Sequence, residues 1–153
     1  MSLFLVQHGK SLPPDIDPER GLSEEGISEV EIIASMAKSH GIGVASIQHS
    51  GKKRAQQTAD IFAIALNPKG GVEERNGINP MDDVEPFARG VNVKDNVMLV
   101  GHLPFMERLV SYLITGSTDR PVIKFQNGGI VCLEQDPYTQ IWIIKWTLLP
   151  HIN

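Results

Sequence analysis

The stretch LFLVQHGK, residues 3–10, decides the fold class of this chain. Its first four residues are apolar and lack the spacing of an amphipathic helix, which is typical of a short strand buried on both faces. The apolar run stops at Gln7, and His8 and Gly9 follow directly. A histidine at the end of a buried strand is therefore the first feature to explain.

Composition and charge exclude several classes of protein. With 153 residues, of which 41% are hydrophobic and 21% charged, we expect a single globular domain over residues 1–153. The formal net charge of -4 argues against a nucleic acid or an anionic membrane as the main partner. The one cysteine, Cys132, excludes an internal disulfide and fits a reducing compartment.

Targeting signals are not expected either. No apolar run approaches the roughly 18 residues that span a bilayer. The run LFLV is too short for a signal-peptide core, and no basic residue precedes it. These features predict a cytoplasmic protein that is not inserted in a membrane.

Apolar spacing predicts strands that alternate with helices. Strands are expected at residues 3–7, 44–50, 97–102, 128–134 and 141–148, with a weaker one around Val72. Helices are expected from the N-cap Ser23 to Gly41, over 52–66, near 83–89, and from Pro104 to Gly116. This order predicts an α/β fold, a three-layer α/β/α sandwich whose mostly parallel central sheet has an antiparallel edge. In the last strand, Trp142, Ile144 and Trp146 are expected to share one face.

The polar residues that follow these strands favour an anion site. In a parallel sheet, ligands bind outside the carboxyl ends of the strands. The histidines and cations at those ends are His8, Lys10, His49, Lys52, Lys53, Arg54 and His102. The cations would repel a metal dication, and the chain has no HExxH, CxxC, GxGxxG or GxxxxGK[ST] motif, so we expect neither a metal nor a cofactor. Arginine, histidine and helix N-termini instead suit phosphate oxygens.

Four sequence blocks resemble one known family. They are LFLVQHGK (3–10), LSEEG (22–26), HSGKKRAQQTA (49–59) and VGHLPFMERLVSYL (100–113). Together they resemble the histidine phosphatase superfamily, in particular its small branch of SixA-like phosphohistidine phosphatases. The resemblance covers residues 3–134 in order and implies a phosphoglycerate mutase-like fold without long insertions.

The resemblance implies a role for each matching residue. His8 matches the nucleophile, which carries the phosphoryl group on one ring nitrogen. Arg54 matches an arginine that clamps the phosphate, and His102 matches a second histidine that donates to phosphoryl oxygens. Arg20 matches an arginine of this branch that lies near the groove.

Gln7 departs from the family pattern, in which an arginine precedes the nucleophile. Its amide can donate to a phosphoryl oxygen but brings no charge, and hydrogen bonds to charged groups are worth roughly 1.5–3 kcal/mol. The loss corresponds to about 10- to 100-fold in rate. The residues expected to bind the phosphate are Gln7, Gly9, Lys10 and Arg20. The missing charge is expected to come from one of Lys10, Arg20, Lys52 and Lys53.

Candidates for a general acid lie in NPMDDVEP, residues 79–86. Asp83 best matches an acidic position of the branch, and Asp82 precedes it. The SixA-like branch manages without a comparably strong acid, because a departing imidazole needs far less protonation than an alkoxide.

These residues predict a cofactor-independent phosphatase that forms a phosphohistidine intermediate. Its expected substrate is a phosphohistidine on a protein, such as a histidine phosphotransfer domain. Two alternatives remain open. One is a phosphatase for a small phosphomonoester or a protein phosphoserine. The other is a catalytically weak or non-catalytic phosphoryl-binding module, because Gln7 replaces the usual arginine.

Overall fold

The computed structural model describes residues 1–152, over which the chain forms six strands, four α-helices and one 3-10 helix. The strands are β1 (Leu3–Gln7), β2 (Ser46–His49), β3 (Val72–Glu74), β4 (Val97–Gly101), β5 (Ile130–Gln135) and β6 (Trp142–Leu148). The helices are α1 (Glu24–Ser39), α2 (Lys53–Leu66), α3 (Val84–Arg89) and α4 (Phe105–Thr115), and the 3-10 helix spans Val93–Asp95. Each predicted element is present, with bounds that differ by a few residues.

The strands form one sheet in the order β3-β2-β4-β1-β5-β6. All pairs among the first four strands of this order are parallel, whereas β5 is antiparallel to both β1 and β6. The predicted mostly parallel sheet with an antiparallel edge is confirmed. Because β2, β4 and β1 are parallel neighbours, their carboxyl ends lie side by side at one edge.

Alternate side chains of β1 contribute to two separate cores. Leu3 and Leu5 belong to the apolar cluster that α3 and α4 cover, and Phe4 and Val6 belong to the cluster under α1 and α2. None of the four is more than 5% exposed, and full burial of such a side chain contributes roughly 1.5–3 kcal/mol. Helices on both faces of the sheet confirm the three-layer sandwich.

Local signals set where the helices begin and end. Ser23 caps α1 by accepting a hydrogen bond from the Gly26 amide, with Glu24 and Glu25 in the first turn. Gly116 ends α4 in the left-handed conformation, at a φ of 80°. Within residues 1–152, no helix has both the length and the apolar composition that crossing a bilayer requires.

The prediction that Trp142, Ile144 and Trp146 share one face is wrong. Trp142 and Ile144 pack in the cluster under α3 and α4, whereas Trp146 packs against the cluster on the opposite face. The cause is a register shift between β5 and β6. The adjacent residues Cys132 and Leu133 pair with residues of β6 that are two positions apart. This bulge in β6 reverses the alternation of side chains.

Gly26 allows α1 to lie directly against the segment that follows β1. A Cβ at this position would lie 2.1 Å from the backbone oxygen of Lys10, whereas a Cβ at Gly43 would have no neighbour within 4 Å. We therefore expect Gly26→Ala to lower the free energy of unfolding by about 1–3 kcal/mol, measured by urea denaturation with Gly43→Ala as the control. Equal stability of the two variants would contradict this close approach.

Candidate active site

Three histidines lie where three adjacent parallel strands end. His8 follows β1, His49 is the last residue of β2, and His102 follows β4. The His8 amide donates to the carbonyl of Gly101 at 2.9 Å, which extends the β1–β4 ladder to this edge. The ring centroids of His8 and His102 are 5.1 Å apart. His49 has a structural contact, because its Nδ1 accepts from the Gly51 amide at 3.0 Å.

The tautomer of His8 is fixed by its hydrogen bond to the carbonyl of Gly9, 2.7 Å from Nδ1. A carbonyl can only accept, so Nδ1 carries the proton. Burial lowers the pKa of His8 to about 4; the Gly9 hydrogen bond opposes this shift, and the charges of Arg54 and Arg20 add to it. At neutral pH the ring is therefore uncharged, and Nε2 keeps a lone pair for attack on an electrophile.

Arg54 lies in the first turn of α2, where the helix N-terminus also attracts anions. Burial lowers the pKa of Arg54, and the charge of Arg20 acts in the same direction. The guanidinium nevertheless remains protonated in a protein. Among the described residues, its buried Nε has no hydrogen-bond partner.

His102 is 1% exposed, and its Nε2 lies 2.6 Å from the Oγ of Ser50. Burial lowers the pKa of His102 to about 3, and the proximity of His8 and Arg54 adds to this shift. The neutral ring carries one proton on one of its two nitrogens, and the two nitrogens have different surroundings. The second nitrogen, Nδ1, is buried and has no hydrogen-bond partner within residues 1–152.

Unpartnered polar atoms are concentrated at this edge of the sheet. Of the four buried side-chain nitrogen and oxygen atoms without a hydrogen bond in residues 1–152, three are Gln7 Oε1, Arg54 Nε and His102 Nδ1. An unpaired buried group costs about 1–3 kcal/mol, so this concentration indicates a ligand position. Over the same residues, no group of three His, Cys, Asp or Glu side chains is placed to hold a metal ion.

A groove of about 590 Å³ opens beside His8. Its mainly polar lining includes Gln7, Lys10, Arg20 and Asn127. Asn127 also holds the segment in place, because its Nδ2 donates to the carbonyl of His8 at 2.9 Å. His8 itself lines the groove, so a ligand in the groove can contact this residue from the solvent side.

Solved structures of other proteins have the same architecture. The protein histidine phosphatase SixA, in complex with tungstate, aligns with a TM-score of 0.81 and 24% identity over 98% of this chain and 97% of that chain. A protein from Agrobacterium tumefaciens assigned to the SixA phosphohistidine phosphatases aligns with a TM-score of 0.75 and 26% identity over 97% of both chains. The chain has the fold of the histidine phosphatase superfamily.

The superfamily fold is shared with phosphatases named for other substrates. A phosphoserine phosphatase variant from Entamoeba histolytica, in complex with phosphoserine, aligns with a TM-score of 0.69 and 13% identity over 98% of both chains. Comparisons of the sequence with protein-family models and with curated proteins found no match. These structural neighbours are phosphatases, which supports a hydrolase, and their names give different substrates.

Two of the cations expected to replace the superfamily arginine are already paired with carboxylates. Lys10 Nζ lies 2.8 Å from a carboxylate oxygen of Glu25. Lys53 Nζ lies 3.1 Å from a carboxylate oxygen of Asp17. Each of these two charges therefore already has a carboxylate partner outside the unpartnered atoms of the site.

Arg20 and Lys52 act on the histidines of the site. The charges of both lower the pKa of His102, and that of Arg20 also lowers the pKa of His8. Arg20 adopts a φ of 53°, in a turn where its amide donates to the carbonyl of Asp17 at 2.8 Å. The positive charge of these two cations therefore acts at the histidines of the site, where Gln7 brings none.

Gly9, Asp82 and Asp83 have local partners. The Gly9 amide donates to Thr58 Oγ1 at 3.0 Å, so the structure gives Gly9 a packing role rather than the expected contact with phosphate. Asp82 accepts from the Asn79 amide at 2.8 Å, and Asp83 is the N-cap of α3. Both carboxylates therefore have structural roles, and nothing in their geometry supports a general acid.

Two hydroxyl groups to which the sequence assigned no role hold the site together. Thr58 accepts from the Gly9 amide and donates to the carbonyl of Arg54 at 2.7 Å, which joins the segment after β1 to the helix that carries the arginine. Ser50 contacts His102. The available sequence signal was a threonine four residues after Arg54 on an otherwise apolar helix face.

Burial predicts that the two site histidines resist protonation in the folded protein. With pKa values of about 4 for His8 and about 3 for His102, both rings stay mostly neutral as the pH falls from 6.5 until it approaches the pKa of His8. In the unfolded chain they take up protons below about pH 6.5. The unfolded state therefore binds more protons in this range, and the free energy of unfolding decreases as the pH falls.

An NMR titration of the imidazole protons measures these midpoints directly. His8→Ala and His102→Ala assign the two sets of resonances. Titration of either ring near pH 6.5 would contradict the expected lowering of its pKa.

Proposed function

We propose that this chain is a phosphatase that transfers the phosphoryl group of its substrate to Nε2 of His8 and then hydrolyses the phosphohistidine. The observation that carries the proposal is the pair of buried, unpartnered nitrogens, Arg54 Nε and His102 Nδ1, close to a neutral imidazole whose Nδ1 is committed to Gly9. A phosphoryl group at His8 supplies oxygens to both nitrogens. The N-terminus of α2 adds backbone donors.

In the first step, the Nε2 lone pair of His8 forms a bond to phosphorus. The bond between phosphorus and the leaving group breaks, and its electron pair departs with that group. Arg54, His102 and Arg20 stabilise the charge on the phosphoryl oxygens, and Gln7 contributes its amide.

In the second step, a water molecule attacks phosphorus. The bond from phosphorus to Nε2 breaks, and its electron pair returns to the ring as the lone pair. Inorganic phosphate leaves, and the proton lost by the water passes to solvent. His8 is then neutral again and ready for the next substrate.

The proposed substrate is a phosphohistidine on a protein, such as a histidine phosphotransfer domain. The charged side chains that act on His8 are cations, and Asp82 and Asp83 are engaged by backbone amides. Imidazole leaves phosphorus with far less protonation than an alkoxide needs. A site without an acid positioned to protonate the leaving group therefore suits phosphohistidine better than phosphoserine. The SixA names of two structural neighbours support the same substrate class.

Gln7 is the observation that favours a second candidate, a phosphoryl-binding module without turnover. Its side chain is neutral where the superfamily pattern has an arginine, and its Oε1 is buried without a partner in the described part of the chain. Against this candidate, Arg20 and Lys52 already act electrostatically on His102. We therefore favour the enzyme.

Parallel assays on a phosphohistidine peptide and a phosphoserine peptide test the proposal. We expect wild-type protein to hydrolyse phosphohistidine at least 10-fold faster and to acquire an acid-labile phosphate label. His8→Ala is expected to lose both hydrolysis and label, whereas His40→Ala, at the exposed end of α1, keeps both. Activity that survives His8→Ala would sink the mechanism. Binding of inorganic phosphate without hydrolysis or label would favour the module.

Restoring the superfamily charge at position 7 is expected to increase turnover. Gln7→Arg adds a guanidinium that can contact two phosphoryl oxygens, and we expect kcat to rise by up to about 10- to 100-fold. Gln7→Lys, which adds charge without the planar fork, is expected to give a smaller gain. Unchanged or lower kcat in Gln7→Arg would show that the other cations already supply the charge.

A further inference from the structure

Ser50 is hydrogen-bonded to His102, and the proposed mechanism gives this contact no role. Ser50 lies between β2 and α2 and is 9% exposed, and His102 is 1% exposed. Ser50 Oγ is 2.6 Å from His102 Nε2 and 3.4 Å from the amide nitrogen of Lys52. The hydroxyl therefore lies between the Lys52 amide, which can only donate, and His102 Nε2, which can donate or accept.

The direction of this hydrogen bond follows from the donors and acceptors present. The Lys52 amide donates to Ser50 Oγ, so the amide cannot receive the hydroxyl proton. Among residues 1–152, the other hydrogen-bond partner of Ser50 Oγ is His102 Nε2. A buried hydroxyl proton needs an acceptor. Nε2 of His102 can accept it only when that nitrogen carries no proton. The single proton of the neutral ring then resides on Nδ1.

We propose that Ser50 is a positioning residue that donates its hydroxyl proton to Nε2 of His102 and so keeps the ring proton on Nδ1. The inference deepens the proposed function and rests on it, because the Nδ1 proton is useful only to a phosphoryl oxygen at His8. In the opposite tautomer, Nδ1 presents a lone pair that repels that oxygen. Ser50 thereby sets which of the two His102 nitrogens serves the substrate.

The same arrangement assigns His102 a role without proton transfer. Its Nδ1 proton contacts the phosphoryl oxygens and stabilises the charge that builds up on them, and it stays on the ring throughout both steps. Ser50 does not touch the substrate and acts only through the imidazole. Its removal should therefore affect turnover more than substrate binding.

A long-range nitrogen–proton NMR spectrum of the wild-type protein at pH 7 tests the tautomer without reference to activity. We expect the His102 signals of a ring protonated on Nδ1. In Ser50→Ala this preference is lost and a population protonated on Nε2 emerges, whereas Ser46→Ala, at the opposite end of β2, leaves the spectrum unchanged. A wild-type ring protonated on Nε2 would overturn the proposal, even if Ser50→Ala fails to fold.

A double-mutant cycle on phosphohistidine-peptide hydrolysis tests the functional consequence. Ser50→Ala is expected to lower kcat roughly 10- to 100-fold and to change KM less than about twofold. In the His102→Ala background, the same substitution is expected to change kcat less than about twofold. An equal loss in both backgrounds would mean that Ser50 has a general structural role, which contradicts the proposal.

The two proposals fail in distinguishable ways. If wild-type protein hydrolyses neither peptide, the proposed phosphatase function is wrong, and the NMR spectrum still decides the Ser50–His102 relation. If wild-type protein is active and the ring is protonated on Nε2, the function stands and the role of Ser50 is wrong.

Discussion

The parallel alignment of β2, β4 and β1 is the constraint on which the candidate site depends. Each strand spans only four or five residues, roughly 15 Å at the usual rise per residue. Reversing any one of them would carry its terminal polar residues to the opposite edge of the sheet. Parallel strands also require crossover connections. The helices of these connections cover the sheet, and their N-termini face the edge where His8 and His102 lie.

Electrostatics at this edge differ from those of the chain as a whole. The net charge is -4, yet Arg20 and Arg54 both act on the two site histidines. Burial together with this positive field keeps both imidazoles neutral at physiological pH. A neutral imidazole beside fixed cations is suited to react with an anionic phosphoryl group, because an uncharged nitrogen does not repel the anion and the cations attract it.

Fine positioning comes from small groups rather than from the charged residues themselves. Thr58 connects the Gly9 amide to the carbonyl of Arg54, and Gly26 lets α1 approach the backbone of Lys10. Both contacts fix the segment that carries His8. The site is therefore held by buried hydrogen bonds and close backbone packing between α1, α2 and the end of β1.

The sequence by itself determined the order of the elements, the sheet class and the identity of the residues brought together, His8, Arg54 and His102. Apolar spacing is a local property, so it gave the elements, and parallel strands place the polar residues that follow them at one edge. The resemblance of short sequence blocks to a known family then singled out His8, Arg54 and His102 among those polar residues.

Only the tertiary structure decided which polar groups already have a hydrogen-bond or ion-pair partner and which are left for a ligand. Lys10 and Lys53 pair with carboxylates of distant segments, and Asp83 caps a helix. Ser50 meets a ring 52 residues further along the chain. The bulge that separates Trp142 from Trp146 depends in the same way on a neighbouring strand. Such outcomes are set by contacts of about 3 Å between segments far apart in sequence, and a local pattern carries no information about those distances.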